Sequence, residues 1–441
     1  MRKFSLFLCL FAVAVFAAQA LEVQPGADYH ARREALAKKA GGVVVYLAPL
    51  ENFDSEYAFR QEDNFYYLSG ITIPGAGLLI APATEARGDN PARPYREILF
   101  LPPRNLRMER FTGPQLGADN PEAPKITGFD HVEAMSQLPD EVAKSLGGGR
   151  PTIYTDVNSS GEETVSTTAL QFFKRTTNFM LLEDVKPMVE SLRTVKDAGE
   201  IAILKKAVDV SVAAHLAAMK AMKPNLYEYE IGALLNYEWE RRGAERASYS
   251  SIVGSGHNST VLHYSANSAK MQAGDVVVID AAAEYSMYAA DITRTLPVNG
   301  HFTARQREIY DIVLGAQEAA AAAFVSGKSM LGGSPEVSLD KVARDYIKTH
   351  GKDLHGEPLD KYFIHGLGHY IGLDVHDAND YKVALGPGMA FTIEPGIYIP
   401  EENIGVRIED DYLVGADGKL IKLSAALPSK AEEVEKAMSA K

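Results

Sequence analysis

The sequence predicts an α/β (α+β) protein built from two domains. The chain has 441 residues, which is more than one ordinary hydrophobic core holds. Short apolar runs bounded by Gly, Pro and Asp alternate with helical patterns up to about residue 185, and longer amphipathic helices alternate with strand-like runs after it. Because 46% of the residues are apolar and the only low-complexity stretches are short alanine runs, both halves are expected to be globular.

Residues 1–20, MRKFSLFLCLFAVAVFAAQA, have the pattern of a secretory signal peptide. Arg2 and Lys3 precede an apolar run, and Ala18–Ala20 has the small-x-small pattern of a cleavage site. A retained membrane anchor is the less favoured alternative, because the run is too short to span a bilayer comfortably. We therefore expect an exported protein, periplasmic or secreted, with no membrane association once the signal is cleaved before Leu21.

The charge and the cysteine content limit the partners of the mature chain. Removing Arg2 and Lys3 from the 45 basic residues leaves 43 against 58 acidic ones, a net charge of −15, which argues against nucleic acid as a partner. Cys9, the single cysteine, would leave with the signal peptide. The mature chain is therefore expected to use neither disulfides nor thiol chemistry.

The first domain is predicted to cover residues 21–185 and to be a small α/β unit. Its sequence contains no GxxxxGK loop of the kind that cradles phosphate. Residues 131–146 have a helical pattern. The strand-like runs are GGVVVYLAPL (41–50), NFYYLSGI (64–71), AGLLIAPA (76–83), REILFLPP (96–103) and PTIYTDV (151–157).

The second domain is predicted to cover residues 186–441. Apolar residues at three- and four-residue spacing predict helices, and shorter apolar runs predict strands. The charged tail, SKAEEVEKAMSAK, is expected to be solvated. The predicted helices are 197–222, 225–243, 304–327 and 334–350, and the predicted strands are 274–285, 289–298, 390–399 and 404–414.

Four acidic residues of the second domain follow apolar runs that predict buried strands. They are Asp280, Asp291, Glu394 and Glu409. A buried carboxylate without a counter-charge is unfavourable or shifts its pKa, so each needs a cation. For any one of them a salt bridge or a turn cap is the simpler explanation, and Arg407 could neutralise Glu409. One arginine cannot neutralise all four.

The stretch HGLGHYIGLDVHD (365–377) holds three of the eleven histidines. A packed core does not need such a concentration of imidazole, which titrates near neutral pH or binds metal. One of these histidines added to four carboxylates makes an oxygen-rich set suited to divalent ions such as manganese, cobalt or zinc. Repulsion among so many carboxylates favours two ions.

Four blocks in this order resemble the metal-binding blocks of the pita-bread metallopeptidases, namely aminopeptidase P, prolidase and methionine aminopeptidase. The blocks are IDAAAEYSMYAADITRT, HGLGHYIGLDVHD, TIEPGIYI and VRIEDD, and the resemblance covers nearly all of 190–425. Upstream, AFRQEDNFYYLSGITIPGAGLLI (58–80) resembles the N-terminal domain of aminopeptidase P and prolidase, which methionine aminopeptidase lacks. The resemblance implies a C-terminal pita-bread (creatinase/aminopeptidase) catalytic domain after a smaller creatinase/prolidase-type α/β domain.

The resemblance also implies two divalent ions, with manganese expected first and zinc or cobalt as alternatives. Asp291 and Glu409 match the ligands that bridge the two ions. A metal-free, inactive peptide-binding module of the same fold stays an alternative, although the complete ligand set weighs against it. The implied ligands are Asp280, Asp291, His369, Glu394 and Glu409.

The remaining histidines match residues on the substrate side of the family's site. His263 matches a histidine that lines the substrate, His376 one that contacts the scissile carbonyl, and His365 one at the pocket rim. A hydrogen-bonded structural role would be favoured for each alone, and the motif match reverses this for His263 and His376. Arg407 is also assigned to the substrate-binding set.

The implied reaction is hydrolysis of the first bond of peptides that have proline in the second position. A hydroxide bridging two ions would attack the carbonyl, with Glu394 as general base. In prolidases an arginine between the VHD and EPG blocks grips the free carboxylate of a dipeptide, and here Lys382 is the only cation on that loop. This favours aminopeptidase P over prolidase, which stays the alternative with an organophosphate side activity. Relatives of this kind commonly form dimers or tetramers, so a homo-oligomer is expected.

Overall fold

The computed structural model describes residues 21–51, 58–86, 92–146, 152–157, 181–334, 336–378 and 381–439. The predicted signal peptide, residues 1–20, lies outside the described residues. Across these ranges, no helix is both long enough and apolar enough to cross a bilayer.

The first half forms a six-stranded mixed sheet with helices around it. Its three central strands are antiparallel, and the outer strands join in parallel pairs. The helices are Gly26–Lys39, Asp63–Ser69, Glu109–Thr112, Ala123–Thr127 and Leu138–Ser145. The strands, in spatial order, are Val132–Ala134, Arg96–Leu101, Gly77–Ala81, Val43–Leu47, Thr152–Thr155 and Leu181–Asp184.

Two predicted elements of this half are wrong. The strand predicted for 64–71 is the helix Asp63–Ser69, in which nearly every side chain is buried, so its apolar residues show no helical period. The Glu62 carboxylate accepts a hydrogen bond from the Phe65 N–H at 2.7 Å, and Gly70 ends the helix with a φ of 68°. The helix predicted for 131–146 begins only at Leu138, because Val132–Ala134 adds an edge strand to the sheet.

The helix Gly26–Lys39 was not predicted from the sequence. Its buried face includes Arg32 and Arg33, and charged residues on the inner face hide the apolar period. Arg33 is fully enclosed and forms a two-pronged ion pair with Glu97 at 2.6 and 2.9 Å. A buried, paired arginine therefore occupies a position where a sequence pattern would need an apolar residue.

The second half is built from antiparallel strands flanked by long helices. Val276–Asp280 lies between Ile252–Ser255 and Thr293–Pro297, and Asp410–Val414 lies between Ala390–Ile393 and Leu420–Lys422. Further antiparallel strands are Arg246–Ala247, Ala283–Tyr285, Tyr288–Ala289, Gly396–Ile399 and Ile404–Arg407. The helices are Lys186–Arg193, Ala198–Ala221, Glu228–Glu240, Ala304–Ala323, Leu339–His350 and Ala431–Ser439.

Each of the four long strands predicted here is split into two. The breaks follow Asp280, precede Thr293, and fall at Glu394 and between Arg407 and Asp410. The acidic residues therefore lie at strand ends or in the bends between strands, where a side chain can leave the ladder and enter a cavity. Pro395, which has no N–H to donate to a ladder, contributes to the break after Glu394.

The charged tail is not simply solvated, contrary to the sequence prediction. It forms the helix Ala431–Ser439, which buries Ala431 and Val434. Val434 joins the cluster under the helix Ala198–Ala221. The many charged residues around Ala431 and Val434 gave the tail a polar sequence, from which the burial of these two residues could not be predicted.

One hydrophobic cluster runs across both halves of the chain. It contains Leu36 and Tyr67 from the first half and Ile203, Met287 and Ile371 from the second. Since Met287 and Ile371 lie in the loops that flank the acidic strand ends, the first half packs directly behind the candidate site.

Candidate metal centre and active site

Asp280 and Asp291 are brought side by side by the fold. Asp280 ends the central strand Val276–Asp280, and the chain returns through a turn to Asp291 beside it. Ser286 and Met287 form this turn with φ angles of 48° and 73°. One Tyr249 hydroxyl contacts both carboxylates, at 2.5 Å from Asp280 Oδ1 and 2.6 Å from Asp291 Oδ1.

His369, Glu394 and Glu409 complete the cluster. His369 Nε2 lies 3.3 Å from Asp291 Oδ2 and 3.5 Å from Glu394 Oε1. Donor atoms of Asp291, His369 and Glu409 all lie within 4.8 Å of one another. The structure therefore brings together all five residues that the sequence predicted as ligands, Asp280 through the Tyr249 hydroxyl that it shares with Asp291.

The electrostatics of this cluster fit divalent cations. Burial and the neighbouring carboxylates raise the pKa of Glu409 well above its ordinary value, and burial raises the pKa of Glu394 to about 8. Burial opposes protonation of His369, but the hydrogen bond and charge of Asp291 outweigh it and raise the pKa of His369 to about 9. Glu409 Oε1 is buried and has no hydrogen-bond partner among the described residues. The cluster thus offers several carboxylate oxygens that repel one another, one of them without a hydrogen-bond partner among the described residues, and one imidazole nitrogen. Such a set of donors suits one or two divalent ions.

The ion pair that the sequence suggested between Arg407 and Glu409 is not formed; Arg407 pairs with Asp280 instead. Its Nη2 donates to Asp280 Oδ2 at 2.6 Å, and its Nη1 donates to the Tyr398 hydroxyl at 2.9 Å. Glu409 instead accepts a hydrogen bond from Thr293 Oγ1 at 2.7 Å. The reason is the register of the strands, which points the guanidinium of Arg407 across the site rather than along its own strand.

A cavity of about 580 Å³ opens above the cluster and is lined by all three substrate-side histidines. His365 Nε2 lies 2.8 Å from the Tyr398 hydroxyl, and burial lowers the pKa of His365 to about 4. The His376 ring packs edge-on against the ring of His369, with 4.2 Å between centroids. Burial and the charge of His369 lower the pKa of His376. Besides the three histidines, the lining residues include Ser250, Ile252, Leu262, Ser265, Val375 and Arg407.

Sequence reasoning missed Tyr249 and Tyr398. Tyr249 precedes the strand Ile252–Ser255, whose Ile252 pairs with Asp280, so the hydroxyl reaches the acidic strand ends. Recognising that strand in SIVGS would have placed Tyr249 at the site. Tyr398 lies in the predicted strand 390–399, but only the pairing of Gly396–Ile399 with Ile404–Arg407 brings it to Arg407.

Comparison with known proteins agrees with this geometry. Residues 202–416 match the model of metallopeptidase family M24, and residues 29–154 match the model of the aminopeptidase P N-terminal domain. The chain is 34% identical over 440 residues to the Xaa-Pro aminopeptidase of Escherichia coli strain K12, covering 94% of this chain and 98% of that protein. It is 38% identical over 361 residues to the Xaa-Pro dipeptidase of Pyrococcus furiosus, covering 80% of this chain and 89% of that one.

A solved structure shows the same architecture. The chain matches zinc-substituted Escherichia coli aminopeptidase P in complex with product at a TM-score of 0.81 and 32% identity, over 95% of this chain and 99% of that one. This confirms the predicted fold, an aminopeptidase P-type domain before a pita-bread domain. The chain therefore belongs to metallopeptidase family M24, in its aminopeptidase P branch, and is a metalloaminopeptidase.

Proposed function

We propose that this chain is a dinuclear-metal Xaa-Pro aminopeptidase, which releases the N-terminal residue from peptides with proline in the second position. The observation that carries the proposal is the cavity itself, with an acidic cluster at its floor and His263, His365 and His376 in its walls. Relatives that bear the names Xaa-Pro aminopeptidase and Xaa-Pro dipeptidase support the choice of substrate class.

The proposed ligands of the ions are the five residues at the floor of the cavity. Two bound divalent ions would polarise the scissile carbonyl and lower the pKa of the attacking water. We propose manganese as the native metal, with zinc and cobalt as competitors, since zinc binds such sites at least as tightly. The ligands are Asp280, Asp291, His369, Glu394 and Glu409.

The protein's own groups would move the proton and bind the oxyanion. Glu394 accepts the proton of the attacking water and delivers it to the proline nitrogen as the C–N bond breaks. His376 donates to the oxyanion of the tetrahedral intermediate, and His263 lines the substrate's path.

The cavity favours peptides longer than dipeptides. Among the described lining residues, Arg407 is the only arginine or lysine, and Asp280 and Tyr398 already engage its guanidinium. Lys382, the cation that sequence considerations offered as a carboxylate anchor, does not line the cavity. In the part of the cavity that the structure describes, the walls therefore offer no spare guanidinium fork for the free carboxylate of a dipeptide.

The test is hydrolysis of Arg-Pro-Pro and of Ala-Pro by chelator-stripped protein reloaded with manganese. We expect cleavage of the tripeptide after reloading and little cleavage of the dipeptide. Replacing the general base, Glu394→Gln, should lower kcat about 100- to 10,000-fold. The exposed carboxylate variant Glu401→Gln is the control and should act like the parent. The reverse substrate preference would establish a prolidase, and metal-loaded protein inactive on both peptides would refute the proposal.

We further propose that the enzyme is exported and acts as a homo-oligomer. The export proposal is supported by the apolar run and cleavage pattern of residues 1–20. Mass determination of the chain recovered from the periplasm or medium tests it, since cleavage predicts a new N-terminus at Leu21. Light scattering of the mature protein tests for a dimer or tetramer.

A further inference from the structure

We infer that an ionic cluster formed by Arg193, Lys196 and Asp377 positions His376 in the catalytic cavity, and that the N-terminal half completes this cluster. The inference rests on the proposed function, because it concerns the placement of a residue proposed to contact the substrate. It assigns a positioning role to Asp377, which is the residue directly after His376, and to Arg193 and Lys196, which lie near the start of the second half.

The cluster is almost completely enclosed. Asp377 is 2% exposed, and Arg193 and Lys196 are 5% and 4% exposed. Asp377 Oδ1 accepts a hydrogen bond from Arg193 Nη2, and Asp377 Oδ2 accepts one from Lys196 Nζ at 2.8 Å. Each carboxylate oxygen is therefore held by a separate cation, which fixes the orientation of the carboxylate and of the backbone that carries it.

The N-terminal half holds the arginine from the other side. Arg193 Nη1 donates to Asn64 Oδ1 at 2.7 Å, and Arg193 Nη2 lies 3.4 Å from Asp63 Oδ2. Arg60 bridges Asp63 Oδ1 and the Leu373 carbonyl, both at 2.7 Å, so it contacts the histidine-bearing loop directly. The helix Asp63–Ser69 and Arg60, which lies three residues before it in the chain, thus support the histidine-bearing loop from the side of the N-terminal half.

The loop that carries His376 is tightly packed around this carboxylate. The Asp377 N–H donates to the Tyr370 carbonyl at 3.0 Å, and a Cβ added at Gly372 would lie 2.2 Å from Asp377 Oδ2. No hydrogen bond to the His376 ring is found among the described residues, and the ring packs edge-on against that of His369. The position of the imidazole therefore depends on its backbone and on its packing against His369, and Asp377 anchors that backbone.

Stability alone is a weak explanation for such a cluster. Buried ion pairs lose much of their Coulombic gain to desolvation, and apolar residues of similar volume often stabilise a fold equally well. An arginine and a lysine bound to the same carboxylate hold that carboxylate, and the backbone beside it, in one orientation. A histidine that contacts a developing oxyanion needs such a fixed position, since a displacement of about 1 Å costs on the order of 100-fold in rate.

The first test is Asp377→Asn in the full mature protein loaded with manganese. We expect kcat on Arg-Pro-Pro to fall about 100-fold, with KM and bound metal changed little, since Asp377 is not among the proposed ligands. The matched control is Glu97→Gln, which breaks the similarly buried pair with Arg33 in the N-terminal half. It should lower the Tm and leave kcat unchanged.

A second readout does not need activity. Histidines labelled with carbon-13 at ring Cε1 in the metal-free protein give one Cε1 signal each, and His376→Ala identifies that of His376. We expect Asp377→Asn to move this signal and Glu97→Gln to leave it in place. If the parent protein proves inactive on Xaa-Pro peptides, the proposed function fails, while this signal still tests whether Asp377 positions His376.

A milder variant keeps the test decisive if Asp377→Asn does not fold. Arg193→Lys retains a cation beside Asp377 but loses the second arm to Asn64, and Arg193→Met loses both. We expect kcat to fall in the order parent, Arg193→Lys, Arg193→Met. Folded Arg193→Met with the parent's kcat and an unshifted His376 signal would overturn the inference.

Discussion

His215 should make the stability of this enzyme depend on pH. It lies on the helix Ala198–Ala221, is 1% exposed, and its Nε2 donates to the Ala281 carbonyl at 2.8 Å. Burial, assisted by the charge of Arg294, lowers the pKa of His215 from 6.5 to about 4, against the opposing effect of the Ala281 carbonyl. The folded protein therefore holds this imidazole neutral at a pH at which the unfolded chain protonates it.

The magnitude follows from this shift. Above pH 6.5 both states leave His215 neutral, and the contribution to stability is complete. As the pH falls toward 4, only the unfolded chain takes up the proton, so the free energy of unfolding decreases. Lowering the pKa from 6.5 to about 4 corresponds to about 3 kcal/mol, most of which is lost by pH 4.5.

The assay compares the parent with His215→Gln, which does not titrate and retains an N–H donor. Urea unfolding of both proteins is followed by far-ultraviolet circular dichroism at pH 7 and pH 4.5, with chelator present so that metal release does not contribute. The stability advantage of the parent should shrink by about 2–3 kcal/mol between the two pH values. A difference that stays constant with pH would refute the reasoning, because it would mean that His215 protonates equally in both states.

Three further perturbations test the site. Tyr249→Phe removes the hydroxyl shared by Asp280 and Asp291, so metal affinity or activity should fall about 10- to 100-fold; a calorimetric metal titration that matches the parent would contradict this. Gly368→Ala would place a Cβ 2.1 Å from the Thr392 carbonyl oxygen, so we expect a loss of about 1–3 kcal/mol and weakened metal binding, with Gly366→Ala as the unhindered control. Glu228 accepts five hydrogen bonds from residues 255–269, which flank His263, so Glu228→Gln should leave donors unpaired at about 1–3 kcal/mol each. Hydrogen exchange should show the loop 256–268 less protected in Glu228→Gln, and unchanged protection would count against this role.

The acidic and histidine residues of the site could be predicted because their signal is local. An acidic residue directly after an apolar run is unusual, and a few residues of sequence are enough to show it. This pattern occurs at Asp280, Asp291, Glu394 and Glu409. The order of the four blocks then carried the family resemblance, which the comparisons confirm. The individual roles of these residues stay predictions.

The errors in the fold have a common cause, which is the burial of residues that do not fit a simple pattern. The aromatic run 64–71 is buried on all sides of a helix, and the helix Gly26–Lys39 buries two arginines. Hydrophobic periodicity arises when one face of an element is exposed to solvent and the other is buried. An element without that contrast therefore shows no periodicity in its sequence.

By itself, the sequence determined the two-domain α/β architecture and the acidic and histidine residues at the site, because both depend on patterns within short stretches of the chain. Only the tertiary structure decided which of these groups meet. Arg407 pairs with Asp280 across 127 positions, and Arg193 pairs with Asp377 across 184. The partner of a buried charge is chosen by strand register and domain packing, which bring distant segments together and leave no trace in the spacing along the chain.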